Sequence, residues 1–182
     1  MFKFSKTKKA PAFSLIEVMM AAFLMAVGLL ATVSLLTIGV KKTSDNKYNL
    51  IASFLAQEGV ELVRNIRDTN WLEGEETFSG IGEGNCRIDA SSDDNLVCGT
   101  SAFELYNGNS LIYKHSGNSQ DKTRFSRKII IANEASGEQK IITSVVVWGE
   151  DFPSGSLITT TNCNTANKCA YSKINLTKWQ EE

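Results

Sequence analysis

The stretch VMMAAFLMAVGLLATVSLLTI, residues 18–38, decides the fold of this 182-residue chain. It contains 21 residues without a charged side chain. Its only weak interruptions are Gly28, Thr32, Ser34 and Thr37. At about 1.5 Å of rise per residue, a helix of this length spans roughly 30 Å, the thickness of the hydrocarbon core of a bilayer. The sequence therefore predicts a membrane-spanning helix near the N-terminus.

The charges around this stretch are distributed unevenly. Residues 1–12 carry four lysines and no acid, which leaves 15 basic side chains against 20 acidic ones in the rest of the chain. This basic leader favours a cytoplasmic N-terminus and an outward-facing remainder, and Lys41 and Lys42 on the far side weaken the preference without reversing it. The net charge of −1 for the whole chain argues against a general nucleic-acid binder, so we expect no direct contact with nucleic acid.

Small residues precede the apolar core instead of following it. An ordinary secretory signal has its cleavage site after the core, whereas Ala10, Pro11 and Ala12 come before it here. Cleavage after Ala12 would remove only the basic leader and keep the apolar helix as the new N-terminus. Glu17 lies at the edge of that helix, where a carboxylate costs less than the roughly 2.5–3.5 kcal/mol of the bilayer centre. It either rests in the headgroup layer without a role or serves assembly.

The run AFSLIEVMMA, residues 12–21, closely resembles the processing and methylation motif of type IV prepilins and type II secretion pseudopilins. In that family an inner-membrane prepilin peptidase cuts before the phenylalanine and methylates the new amine, and the glutamate is retained. The resemblance implies cleavage between Ala12 and Phe13, N-methylation of Phe13 and an assembly role for Glu17. The family usually has Gly before the cut, and Ala12 is the departure. Because Ala is also small, we expect processing to occur.

A physical role for Glu17 follows from this resemblance. In a filament the helices pack side by side in an apolar core, where an unpaired carboxylate is costly. The methylated amine of Phe13 in a neighbouring subunit stays cationic and would serve as the partner. Such a pair would set the axial register between subunits.

Residues 41–67 have the pattern of an amphipathic helix that continues the apolar one. Their apolar side chains recur at helical spacing. The members of this stripe are Ile51, Phe54, Leu55, Leu62, Val63 and Ile66. The sequence Asp-Thr-Asn at 68–70 is predicted to end the helix near Arg67. We expect the stripe to pack on a sheet, with a partner-binding helix as the alternative, so that residues 13–40 and 41–67 form two halves of one long helix.

Residues 68–182 are predicted to form an extracytoplasmic, β-rich domain. Within it, residues 74–102 are rich in Gly, Asp, Asn and Ser and are predicted to form a long loop. Strands are predicted on both sides of an Asn107-Gly108 turn, around a turn at Gly137, and near the C-terminus. The predicted strand ranges are 103–106, 111–113, 125–133, 140–148, 157–161 and 171–179. The predicted fold class is α+β, a long N-terminal helix on an antiparallel sheet, as the pilin resemblance also implies.

The four cysteines favour disulfides over a metal site. Their spacing matches no common zinc arrangement. In an exported domain an even number predicts two disulfides, most simply Cys86–Cys98 and Cys163–Cys169, although four cysteines allow three connectivities.

No catalytic constellation stands out, and we predict neither an enzyme nor a bound cofactor or metal. His115 lies in a polar loop without an evident partner and is predicted to be exposed. The three glycines in residues 80–84 are a poor nucleotide signature, and the acids of residues 89–94 are not spaced like a known calcium loop. Trp148 and Trp179 are predicted to be packing residues at strand ends.

Three short strings, at residues 55–59, 64–68 and 145–148, resemble minor pilins of the PilV-like kind. The resemblance implies a minor pilin of a type IV pilus, assembled through its N-terminal helix; a pseudopilin of a type II secretion or DNA-uptake system is the alternative. A membrane-anchored ectodomain with binding or enzymatic activity is the third class. The implied partners are prepilin peptidase, other pilin subunits, the assembly platform and the membrane. The implied location is the inner membrane, as a single-pass protein, and then a cell-surface filament.

Overall fold

The computed structural model describes residues 14–90, 96–100, 102–108, 112–134, 137–149 and 162–178. A single α-helix within these ranges, α1 (Leu15–Leu72), packs on a six-stranded antiparallel sheet, so the predicted α+β class is confirmed. The chain divides into two compact units between Asp45 and Asn46, and α1 contributes to both. This boundary lies five residues beyond residue 40, where the sequence placed the end of the membrane-spanning half.

The described part of the first unit, residues 14–45, is almost entirely helical, and every residue in it is exposed. Large apolar side chains occur on all sides of this helix, with Leu15, Met25 and Val40 each more than 70% exposed. The hydroxyl groups of Thr32 and Thr37 donate to the carbonyl oxygens of residues one turn earlier, at 2.8 and 2.9 Å. These threonine hydroxyls therefore need no partner outside the helix, which makes them compatible with an apolar environment.

The second unit contains the sheet. Its strands are β1 (Gly84–Arg87), β2 (Val97–Cys98), β3 (Glu104–Tyr106), β4 (Lys122–Asn133), β5 (Gln139–Trp148) and β6 (Cys169–Thr177). The order is β2-β1-β4-β5-β6, and β3 pairs with β4 as well. The predicted hairpin of β4 and β5 is confirmed, with nine residue pairs in register. Tyr106 and Lys114 form an isolated antiparallel bridge, but Ile112 and Tyr113 belong to no strand, so the described part of the strand predicted at residues 111–113 is not formed.

Some predicted elements differ in detail or fall elsewhere. Residues 74–102 are not one long loop, because β1 and β2 form in it and pair with each other. The predicted strand at residues 157–161 lies outside the described residues, as do Leu111 and Trp179. Strand β6, the described part of the last predicted hairpin, pairs along β5.

The side of α1 that meets the sheet is rotated from the predicted stripe. Its buried positions include Ala52, Ala56, Gly59 and Val60, whereas Phe54 is 61% exposed. A Cβ atom built on Gly59 would lie 2.6 Å from Ser144 Oγ and 2.7 Å from Ile129 Cδ1. Small residues therefore form the contact because they let the helix backbone approach the sheet closely.

The helix ends at Leu72, later than the Asp-Thr-Asn sequence predicted to end it. The backbone N–H of Gly74 donates to the carbonyl of Trp71, and that of Glu75 donates to the carbonyl of Asn70. Gly74 has φ +73°, so the two bonds and the left-handed residue make a Schellman cap. The Asn70 side chain also donates to the carbonyl of Ser79 at 2.8 Å, which ties the helix end to the following loop.

Candidate functional site

The first candidate site is the N-terminal end of α1. Ser14 directly precedes the helix, and its carbonyl oxygen accepts from the backbone N–H groups of Glu17 and Val18, at 3.0 and 3.3 Å. Glu17 lies in the first turn, with an exposed side chain. The predicted cleavage-site residues Ala12 and Phe13 lie outside the described residues.

Glu17 is the only charged residue between Ser14 and Val40. A carboxylate in the first turn of a helix is favoured by the partial positive charge of the helix N-terminus, by typically 0.3–1 kcal/mol. This local effect favours a carboxylate at the position of Glu17, but the partial charge of the helix end does not neutralise it. If the surrounding apolar surface is covered by other helices, the carboxylate needs a cation from another chain or a polar layer.

The exposed apolar side chains next to Glu17 must also be shielded from water. A helix that is apolar on every side is stable when it is buried in a bilayer or among other helices. Within the described residues, α1 is the one helix that is long and apolar enough to cross a membrane. The structure is therefore consistent with a single-pass membrane protein.

The second candidate region is a buried group of charged residues between α1 and the sheet. Arg127, in the middle of β4, is fully buried. Its guanidinium donates to the carbonyl oxygens of Ile88 (2.7 Å) and Leu55 (3.3 Å), and its Nη1 atom lies 3.3 Å from a carboxylate oxygen of Glu58. One side chain thereby joins the helix, strand β4 and the segment that follows β1.

His115 belongs to the same group and is buried, so the prediction that it is exposed was wrong. Its ring Nδ1 and its backbone N–H lie 2.6 and 2.8 Å from the same Asp89 carboxylate oxygen. Its Nε2 lies 3.1 Å from the carbonyl oxygen of Arg127, which can only accept. Both ring nitrogens thus lie within hydrogen-bonding distance of an oxygen atom, so His115 links the Asp89 carboxylate to the backbone of β4.

The pKa of Asp89 reflects these contacts. Burial raises the pKa of its carboxyl group, but the hydrogen bonds from His115 and the positive charges of His115 and Arg127 together hold the pKa below its ordinary value. Burial also lowers the pKa of Arg127, while the carboxylates of Glu58 and Asp89 act in the opposite direction. These groups compensate one another's charge inside the domain.

Sequence reasoning missed this buried group. Arg127 gave one usable signal, because the alternation of β4 places it on the same face as Phe125, Ile129 and Ile131, all buried. A charged residue on an apolar strand face must find partners when it is buried. His115 gave no comparable signal because its partner is 26 residues away in the chain.

The cysteines form two disulfides, Cys86–Cys98 and Cys163–Cys169, which is the pairing that the sequence favoured. Cys86 and Cys98 are directly opposite each other in the β1–β2 pair, so this disulfide links two neighbouring strands. Cys169 opens β6, so the second disulfide fastens the segment before that strand.

Among the residues that the structure describes, no three His, Cys, Asp or Glu side chains are grouped so as to hold a metal ion. Asp89, the first of the acids in residues 89–94, is the partner of His115, and Asp93 and Asp94 lie outside the described residues. Trp148 is buried in the cluster around Phe125, as predicted.

Comparison of the chain with protein-family models, with curated proteins and with solved structures finds no match. The fold itself defines a class of architecture: an apolar N-terminal helix able to cross a bilayer continues into a segment that packs on an antiparallel sheet. The N-terminal end of α1 is its candidate functional site.

Proposed function

We propose that this protein is a filament subunit of the type IV prepilin class, and specifically a minor pilin. The observation that carries the proposal is the coincidence of three features at one end of the chain. The prepilin-like motif at residues 12–21 leads directly into α1, the first part of α1 is apolar on all sides, and the later part carries a disulfide-bonded sheet domain.

Processing would prepare this helix for assembly. Cleavage after Ala12 removes the basic leader and leaves Phe13 as a methylated N-terminus ahead of an apolar helix. Prepilin peptidase is the partner in this step, and the membrane stores the cleaved subunit. The assembly platform and its ATPase then move the subunit into the filament, where helices of other subunits replace the lipid around the apolar surface. Since both surroundings are apolar, this transfer changes little hydrophobic free energy.

Glu17 would act as the register-setting residue during this transfer. It is the only charge on the described helix before Lys41, so one misplaced neighbour leaves its carboxylate unpaired in an apolar core. The cationic amine of Phe13 in an adjacent subunit has the opposite charge to the Glu17 carboxylate. Within one chain, Phe13 and Glu17 are four residues apart in the sequence. A charged pair of this kind specifies one axial offset between subunits, whereas apolar packing alone tolerates several.

Two of the three strings that resemble PilV-like minor pilins contribute packing residues to the second unit. Leu55, Ala56 and Gly59 are buried against the sheet, and residues 145–148 are buried along β5. These two strings support a shared way of joining helix to sheet. In the third string, residues 64–68, Arg67 is buried and Asn65 is exposed.

The proposal is tested by measuring incorporation of Glu17 variants into sheared filaments in a host that assembles them. We expect Glu17→Gln and Glu17→Leu to be cleaved normally but to be depleted from the filament fraction by at least tenfold, about 1.4 kcal/mol. Glu61→Gln, which removes an exposed carboxylate from the second unit, is the matched control and should incorporate normally. Normal incorporation of both Glu17 variants would contradict the role given to this residue.

A further inference from the structure

A cationic concavity of about 580 Å³ lies on the second unit, between the beginning of its helix and strand β4. Its positive charges come from Lys47 on α1 and from Lys122 and Arg124 on β4, and its wall includes the rings of Tyr48 and Phe125. All three cations are exposed, whereas Phe125 is buried. The concavity therefore presents charged groups to solvent above an aromatic floor.

The aromatic rings hold the central cation in place. The guanidinium carbon of Arg124 lies 4.3 Å from the centroid of the Tyr48 ring, a cation–π contact. The Tyr48 ring in turn meets Phe125 edge-on, with centroids 6.3 Å apart. Stacking uses the face of the guanidinium and leaves the N–H groups at its rim available to an anion.

One of the three positive charges in the concavity is compensated by a carboxylate. Lys122 donates to the Glu104 carboxylate at 3.0 Å. Within the described residues, neither Lys47 nor Arg124 forms an ion pair with a carboxylate. Two positive charges remain, a guanidinium and an ammonium, and both groups donate hydrogen bonds to phosphate.

The concavity is also tethered close to the membrane. Lys47 follows Val40, the last residue of the apolar stretch, by seven residues, and seven residues reach at most about 25 Å even when fully extended. Lys41 and Lys42 lie between them. These two lysines oppose the orientation favoured by the basic leader. Contact with anionic headgroups at the outer membrane surface would account for their positive charge.

We propose that this concavity binds the phosphate of an anionic phospholipid headgroup, in the leaflet at the C-terminal end of the apolar helix. Arg124 binds the phosphate through two parallel N–H groups, Lys47 adds a point charge, and the tether keeps the site at the bilayer surface. The contact would fix the second unit against the membrane while the subunit awaits assembly. This inference rests on membrane anchoring alone and does not require the filament role.

The test compares the full-length chain in nanodiscs of phosphatidylcholine with the same chain in nanodiscs that also contain phosphatidylglycerol. The readout is the unfolding temperature of the sheet unit. If the local headgroup concentration is about ten times the Kd, the anionic lipid should raise this temperature by about 4 °C. Lys47→Gln, which has no described partner to lose, should remove roughly half of that rise, and Lys47→Gln combined with Arg124→Gln should abolish it.

Lys173→Gln is the matched control, because it removes one exposed lysine from β6, outside the concavity. It should keep the full rise. An equal rise in wild type and in both Lys47 variants would overturn the proposal, as would the absence of any rise in the wild type. A rise of the same size with inorganic phosphate in pure phosphatidylcholine would assign the site to free phosphate instead. A rise that follows protein concentration but not lipid charge would assign the surface to a second copy of the chain.

Discussion

The close approach of α1 to the sheet at Gly59 makes a quantitative prediction about stability. A methyl carbon at this position would lie 2.7 Å from Ile129 Cδ1 and 3.1 Å from Arg127 Cδ. Carbon atoms in ordinary contact are about 3.5–4.0 Å apart, so even one added atom is short of space by roughly 0.4–0.8 Å. A leucine adds three more carbons to the same space, and neither the helix nor the sheet can accommodate them without moving.

We therefore expect Gly59→Leu to reduce the free energy of unfolding by about 3 kcal/mol, near the upper end of the range for overpacked cores. This value already includes the roughly 1 kcal/mol that a better helix former returns at this position. For a domain of this size, the corresponding fall in unfolding temperature is about 10 °C. Gly59→Ala should cost clearly less than Gly59→Leu, because it adds only the Cβ atom and gains about 1 kcal/mol in helix propensity against the same contacts.

The assay is thermal unfolding of the full-length chain in detergent, followed by near-ultraviolet circular dichroism of the sheet unit. Gln57→Leu introduces the same side chain on the exposed side of the same helix and serves as the control, with an expected change within about 0.5 kcal/mol. The reasoning would be refuted if Gly59→Leu unfolded within 2 °C of the wild type, roughly the change expected of a surface substitution.

Three further predictions concern the buried charges and the disulfides. Arg127→Ala should lower the free energy of unfolding in urea by about 3–5 kcal/mol, because it leaves the half-buried Glu58 carboxylate and the carbonyl oxygens without their partner. Arg127→Met should lower it clearly less because the methionine side chain fills the space, and equal losses in the two variants would contradict this. The folded-state pKa of Asp89 is lowered, so its contribution is present above the ordinary value of 3.8 and is lost as pH falls through the folded pKa. The urea midpoint of the wild type should accordingly drop below pH 4, while Asp89→Asn should be less stable at pH 6 and drop less over this range. Replacing Cys163 and Cys169 with Ala should cost about 2 kcal/mol, the value for a short closed loop, measured by the same unfolding assay; no change would mean that the bond adds no constraint.

The parts of the fold that could be predicted from sequence are those with a strong local pattern. The uncharged stretch at residues 18–38 fixed the position of an apolar helix, and the β-branched runs around Ile129 and Val146 fixed the central hairpin. In both cases the side-chain pattern and the backbone preference point to the same element.

The errors arose where the informative residues carry no hydrophobic signal. The contact side of α1 was predicted in part. Leu55 and Val63 are buried as expected, but Ala52, Ala56 and Gly59 were missed because they are small, and the larger Phe54 is exposed. Gly74, two residues after the helix end, was a usable signal for a Schellman cap. It was overlooked because the polar residues at 68–70 were interpreted as the helix end.

The buried charges could not have been found in the same way. Asp89 and His115 meet only because β1 and the segment before β4 are brought together by the sheet. Neither residue lies in a local pattern that marks it as buried. The candidate site at Glu17 is the opposite case, since its signal lies wholly in the local sequence and the structure adds the helix around it.

The central claim, that this chain is a processed prepilin, is tested most directly by its intact mass after co-expression with an active prepilin peptidase. We expect the loss of residues 1–12 and the gain of one methyl group, located on Phe13 by fragmentation of the N-terminal peptide. An uncut chain, in the presence of a control substrate that is cut, would contradict processing and leave a membrane-anchored ectodomain as the better description.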